Sequence, residues 1–256
     1  MRGTLRGARR LTAAVGLAVL LAGCAATEAG APLPQPRPTA TAQTAVGALF
    51  DGSAEDLGDH YCSASVVDSP AGDLLLTAAH CVASGDGTPA ATGMAFVPGY
   101  HDGQEPYGVW TVRSAAVDPH FIADADPDYD VAFLTVDGPV QNVTGGFPVT
   151  FDPGAGDPVD AVGYPMEDDA PTVRSGVTEQ YSPTQLELPA PGLEDGTSGG
   201  PWLRPDGAIV GLTGGYEQGG YTFDTSYSTY LDPGFESLRD EAVDPPEQPQ
   251  VRADAS

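Results

Sequence analysis

Apolar positions along the chain come in short runs set apart by Gly, Pro and Asp. Residues 46–50 form one such run. Residues 60–67 alternate in polarity and end on β-branched side chains, which predicts a strand. Residues 74–77, Leu-Leu-Leu-Thr, are apolar throughout and predict a buried strand, after a turn at 68–73 rich in Asp, Ser, Pro and Gly. Further strands are predicted at 94–97, 109–112, 131–134, 159–165, 172–177, 185–188 and 208–213. Residues 222–230 alternate aromatic and hydroxyl side chains and predict the last strand. One helix is predicted, at 233–242, where Phe235 and Leu238 share a face at i, i+3 spacing. With 33 Gly and 25 Pro, the chain is expected to be all-β, built from short strands joined by turns.

The two ends follow other patterns. Residues 1–23 carry Arg2, Arg6, Arg9 and Arg10 before an apolar run too short for a comfortable membrane span. The run ends in Leu21-Ala22-Gly23-Cys24, which resembles the lipobox of bacterial lipoproteins. That resemblance implies a lipid on Cys24 and anchoring to the outer face of the bacterial cell membrane. The alternative is an ordinary signal peptide cleaved nearby and a secreted protein. Arg9-Arg10 leaves a twin-arginine export route open beside the general one. Residues 24–44 are Ala, Thr, Pro and Gly with few large apolar side chains, and read as a disordered tether. The folded domain is expected at 45–242. Residues 243–256, acidic and Pro-rich, read as a disordered tail.

Charge narrows the function classes. The 256 residues carry a formal charge of −26 and no lysine. Loss of the leader leaves six arginines against 36 acids, a charge near −30. Nucleic-acid binding is excluded on this ground, because phosphate contacts need a basic surface. The acidity suits either attraction of cationic peptides or a solvated surface with no partner.

The candidate chemistry centres on residues 194–202, where Ser198 lies in Gly196-Thr197-Ser198-Gly199-Gly200-Pro201. A serine on a Gly-rich turn can serve as nucleophile, with neighbouring N–H groups aimed at a developing oxyanion. Such a serine needs a base, and the base an orienting acid. Leu76-Thr77-Ala78-Ala79-His80-Cys81 and Asp128-Tyr129-Asp130-Val131 offer His80 and Asp130.

The order His, Asp, Ser and the motifs around His80 and Ser198 resemble the bacterial secreted trypsin-like or V8-like serine peptidases of the chymotrypsin-fold family. The resemblance covers roughly residues 45–242. It implies two six-stranded antiparallel β-barrels with a short C-terminal helix, the chain crossing between barrels near 142–148. It implies an exported endopeptidase with His80 as base, Asp130 as acid, Ser198 as nucleophile and the N–H groups of Gly196 and Ser198 as oxyanion hole. Asp130 is preferred over Asp124, Asp126 and Asp128 because a buried apolar run follows it. His60, His101 and His120 are competing histidines. No cofactor or metal is implied, and a peptide-cleaving monomer is expected. The alternatives are a non-catalytic surface binding protein on the same fold, and a serine esterase.

With Cys24 set aside, Cys62 and Cys81 form an even pair, and the resemblance joins them in a disulfide. Closing that loop is worth about 3 kcal/mol in the chain-entropy model. Two free thiols, or a metal site with His60 and His80, are the alternatives. Thr197 departs from the family's usual Asp, which in digestive trypsins pairs with a newly cut N-terminus. An enzyme with no need of cleavage before Val46 is therefore expected. Gly192 occupies the position of the family's specificity acid, and Thr213 that of the histidine of glutamate-specific relatives. Neither a basic nor an acidic preference follows from them. Asp224 is placed near a second pocket-floor position, with a solvent-facing alternative. Tyr216 is expected to narrow the pocket, and Gly214 and Gly215 to pair with substrate backbone.

Overall fold

The structure, a computed structural model, describes residues 44–244. The expectations for the leader, for Cys24, for the tether up to residue 43 and for the tail beyond residue 244 lie outside the described residues.

The first half of the domain holds β1 (Val46–Ser53), β2 (Asp56–Val66), β3 (Leu74–Thr77), β4 (Ala95–Pro98), β5 (Trp110–Val117) and β6 (Ala132–Val136). Their order is β1-β2-β3-β6-β5-β4, and β1 also pairs antiparallel with β4, so these strands close into a barrel. The all-apolar run 74–77 is buried along its whole length, as a strand covered on both faces must be. Its four residues pair one to one with residues 132–135 of β6.

Seven strands follow: β7 (Pro158–Gly163), β8 (Thr172–Val177), β9 (Glu179–Ser182), β10 (Gln185–Leu188), β11 (Pro201–Leu203), β12 (Ile209–Leu212) and β13 (Ser226–Thr229). They form a four-stranded sheet, β12-β11-β7-β8, and a separate three-stranded sheet, β13-β10-β9. This corrects the expectation of two six-stranded barrels: the sheets contain six, four and three strands, and the second half does not close. The packing gives the reason. Successive residues of a strand face opposite sides. On the four-stranded sheet Val162, Leu203 and Ile209 turn toward the main core, while Ala161, Trp202 and Val210 turn away from it. The fully buried Trp202, with Leu186 and Leu188 of β10, fills the second, smaller core between the two sheets.

The last strand is also shorter than the alternating pattern predicts. Tyr221, Thr222, Phe223 and Asp224 are exposed, and β13 begins only at Ser226. The closing helix, Pro233–Val243, is capped by Asp232 and buries Phe235 and Leu238. Among the described residues no helix is long and apolar enough to cross a membrane.

Candidate active site

His80 and Asp130 leave the barrel from adjoining strand ends. Thr77, the last residue of β3, pairs with Ala132, the first of β6. Three residues beyond Thr77 the chain turns through the short 3-10 segment Ala79–Cys81 and presents His80. Ala78 and Ala79 are fully buried, so this turn lies flush against the barrel. Two residues before Ala132 stands Asp130, 1% exposed. The contact between them follows from the strand pairing: His80 Nδ1 lies 2.7 Å from Asp130 Oδ2. Asp130 Oδ1 accepts the His80 backbone N–H at 2.8 Å, and Oδ2 accepts the Gly215 N–H at 2.8 Å. Three hydrogen bonds thus compensate a carboxylate that burial alone would penalise. A carboxylate on Nδ1 places the proton there and leaves Nε2 as the acceptor.

The competing residues have other partners. Asp126 caps the 3-10 turn Pro127–Tyr129 by accepting the Asp128 N–H, Asp128 accepts the Gln185 side-chain amide, and Asp124 is exposed. His60 is buried between the rings of Phe50 and Tyr100. His101 bonds the Gly99 carbonyl, and His120 bonds Asp118 and stacks on Tyr129.

Ser198 reaches the same place from the second half. Its loop presses on the barrel: a Cβ at Gly199 would lie 2.1 Å from the Thr77 hydroxyl and 2.3 Å from the Ser63 carbonyl. Gly196 has φ +95°, a conformation that favours glycine. The Asp195 carbonyl accepts from Met166 N–H at 2.8 Å, and the Thr197 carbonyl from Gly200 N–H at 2.9 Å. In a trans peptide N–H and C=O point opposite ways. The two N–H groups of these peptide units, Gly196 and Ser198, are left without a partner among the described residues. Thr197 is buried, and its hydroxyl donates to the Glu194 carbonyl at 2.7 Å. Ser198 and His80 line one cavity of about 440 Å³, together with Tyr61, Met166, Glu217 and Tyr221. Among the described residues the Ser198 hydroxyl makes no hydrogen bond. Catalytic hydrogen bonds often tighten only when substrate is present.

The expected substrate-binding residues divide. A Cβ at Gly192 would lie 2.6 Å from Arg174 Nε, whose guanidinium occupies the space a side chain there would need. Thr213 is buried and accepts the Trp202 indole N–H at 3.2 Å. The N–H groups of Gly214 and Gly215 are taken by the Tyr227 carbonyl and by Asp130. Tyr216 packs with Tyr181 and Tyr227 at centroid distances of 5.1 Å, lining a neighbouring cavity instead of the one that holds Ser198. Asp224 is exposed and lines neither cavity. Sequence reasoning missed Glu217, Tyr221 and Met166 on the wall beside Ser198. Glu217 and Gln218 adopt left-handed backbone, φ 52° and 56°, which no pattern of the sequence announces.

Cys62 and Cys81 form a disulfide with Cα atoms 6.1 Å apart. Their sulfurs are bonded to each other, so no thiolate is left for a metal beside His80, although the three residues cluster. The bridge clamps the histidine turn to β2.

The sequence profile of the trypsin-like peptidase domain matches residues 62–212, more than half of the chain and the span that holds His80, Asp130 and Ser198. Among solved structures the chain is similar to the protease Anisep from Arthrobacter nicotinovorans, at 25% identity over 78% of this chain and 95% of that one, TM-score 0.67. It is similar to the thermostable serine protease AL20 from an extremophilic microorganism at 24% identity, covering 79% of this chain and 98% of that one, TM-score 0.68. A Glu endopeptidase solved in complex with MPD has 19% identity, 79% and 91% coverage, and a TM-score of 0.65. The last two likenesses concern the fold alone. No curated protein matches the chain. The chain belongs to the trypsin-like serine peptidases and is a hydrolase of the serine endopeptidase class.

Proposed function

We propose that this peptidase cleaves peptide bonds through a Ser198-His80-Asp130 triad and an acyl-enzyme intermediate. The observation that carries the reading is the buried 2.7 Å His80–Asp130 contact beside the cavity that also holds Ser198. In the reaction, Ser198 Oγ attacks the scissile carbonyl while His80 Nε2 takes its proton. His80 then protonates the leaving amine, and water resolves the acyl-enzyme by the reverse sequence. Asp130 holds the imidazole tautomer and stabilises the imidazolium. The free N–H groups of Gly196 and Ser198 receive the oxyanion.

The Thr197 hydroxyl is spent on the Glu194 carbonyl, which supports an enzyme active without a new N-terminus at Val46. Val46 itself is buried within β1, and its carbonyl accepts from Gly99 N–H and from the Tyr164 hydroxyl. Export to an oxidising compartment is supported by the disulfide. Lipid anchoring at Cys24, with residues 24–44 as tether, completes the reading.

The test is fluorophosphonate labelling of the full-length protein beside Ser198→Ala. Labelling of the parent alone is expected. A folded, disulfide-bonded parent that fails to label overturns the reading in favour of a non-catalytic binding protein.

A further inference from the structure

Ser63, the residue after Cys62 on β2, is fully buried, and its polar groups all serve the serine loop or its support. Its backbone N–H donates to the Ser198 carbonyl at 2.7 Å. Its hydroxyl donates to the Gly196 carbonyl at 2.9 Å and accepts the Tyr164 N–H at 2.8 Å. Its own carbonyl accepts the Thr77 hydroxyl at 2.7 Å.

The Gly196 carbonyl belongs to the peptide whose N–H is that of Thr197, and this N–H donates to the Glu194 carbonyl at 3.0 Å. Ser63 and Glu194 therefore hold this peptide plane from opposite sides. The preceding plane is held by Met166 N–H on the Asp195 carbonyl. Gly196 sits between the two. As glycine it has no preference of its own that would fix the direction of its N–H. Its direction is fixed only if both flanking planes are anchored: Met166 anchors the one that carries the Gly196 N–H, and, since an uncharged Thr197 offers no ion pair, Ser63 and Glu194 anchor the other.

We propose that the Ser63 hydroxyl is a positioning group for the oxyanion hole: by a neutral hydrogen bond from the barrel it locks the Gly196–Thr197 peptide and, together with Met166 on the preceding plane, holds Gly196 at the angle that aims its N–H. The inference rests on the reading of Gly196 and Ser198 as oxyanion donors. It adds a residue from the half of the domain that does not carry the serine.

The experiment compares the full-length parent with Ser63→Ala, Ser63→Thr and Ser198→Ala on a peptide amide, with kcat expressed per active site titrated to completion by a fluorophosphonate for the first three and per mole of folded protein for Ser198→Ala. That normalisation removes any misfolded fraction. A peptide boronate, whose adduct is tetrahedral, is measured as inhibitor alongside. Loss of one oxyanion donor costs about 10²–10³ in kcat, and a misaimed donor is expected to cost about 10–100-fold. Ser63→Ala should lower kcat by that factor with KM within about twofold, and weaken boronate binding in step. Ser63→Thr, which keeps the hydroxyl, should recover most of the loss. A Ser63→Ala kcat within about twofold of the parent, a loss that falls on KM, or an equal loss in Ser63→Thr overturns the proposal. If the parent is active but indifferent to Ser198→Ala, the underlying triad reading fails instead.

Discussion

His80 and Asp130 come from paired ends of a closed sheet, whereas Ser198 comes from a loop strung between an open sheet and the barrel wall. The barrel supplies groups whose separation must be fixed, and strand register fixes it. The second half supplies the serine and the cavity wall beside it, on segments rich in left-handed backbone around Gly196, Gly199, Gly215, Glu217 and Gln218. Its interior is correspondingly modest: Trp202 and a few aliphatic side chains fill the second core. Strand register and glycine-rich turns thus shape different halves, and the proposed triad spans the seam between them.

The sharpest way to break this comparison is at the two sides of the seam. Ser198→Ala should lower kcat by roughly 10⁶-fold and Asp130→Asn by roughly 10⁴-fold, and the double variant should be no worse than Ser198→Ala alone. Steady-state kinetics on a peptide amide reads this, and additive losses would mean that the halves act separately.

Core truncation comes next. Phe133→Ala in β6 is expected to cost about 3–5 kcal/mol, and Leu186→Ala in the smaller core about 2–4 kcal/mol. The chain's two tryptophans, Trp110 on β5 and Trp202 on β11, report one half each. In urea, Leu186→Ala should move the Trp202 transition ahead of that of Trp110. Coincident transitions would make the halves one cooperative unit. Removing the bridge by the double change Cys62→Ala and Cys81→Ala should cost about 3 kcal/mol, read from the same curves.

Alkaline pH probes the seam itself. The Tyr100 hydroxyl bonds Asp169 across the halves. Burial, then that carboxylate, pushes its pKa from 10.0 up to about 12. Burial also raises that of Tyr164, whose hydroxyl bonds the Val46 carbonyl. Below pH 10 both the folded and the unfolded chain keep the Tyr100 proton, and the stabilisation is complete. Between pH 10 and about 12 only the folded chain keeps it, so stability falls as pH rises. Tyr100→Phe should flatten that slope in urea melts taken across this window. The smallest effect is expected at Tyr221, 82% exposed: Tyr221→Ala should leave stability within about 0.5 kcal/mol while shifting KM.

Much of the barrel was legible from apolar runs, because a buried strand must be apolar wherever it is covered. Residues 74–77 were read with their observed bounds, and so, outside the barrel, was the alternating segment 185–188. The contact of His80 with Asp130 was expected from the family resemblance around His80 and from the buried run that follows Asp130. Closure was not legible: nothing in the pattern of β7–β13 distinguishes a barrel from two sheets around one tryptophan. The three-residue strand β11 is too short to show a period, and the residues after Tyr216 owe their course to backbone conformations the side chains do not encode. Ser63 escaped notice because a serine in an alternating strand looks like any other, and the partners of its hydroxyl lie more than a hundred positions away.

The Asp130 carboxylate, held at once by His80 and by Gly215, has a consequence for the life of the protein before it is finished. Under the proposed triad, a half-assembled copy has its base in one part and its nucleophile in the other, and does not cut. On that reading, closing the seam is itself the activating event, and each copy passes through it once, as the last step of its own folding.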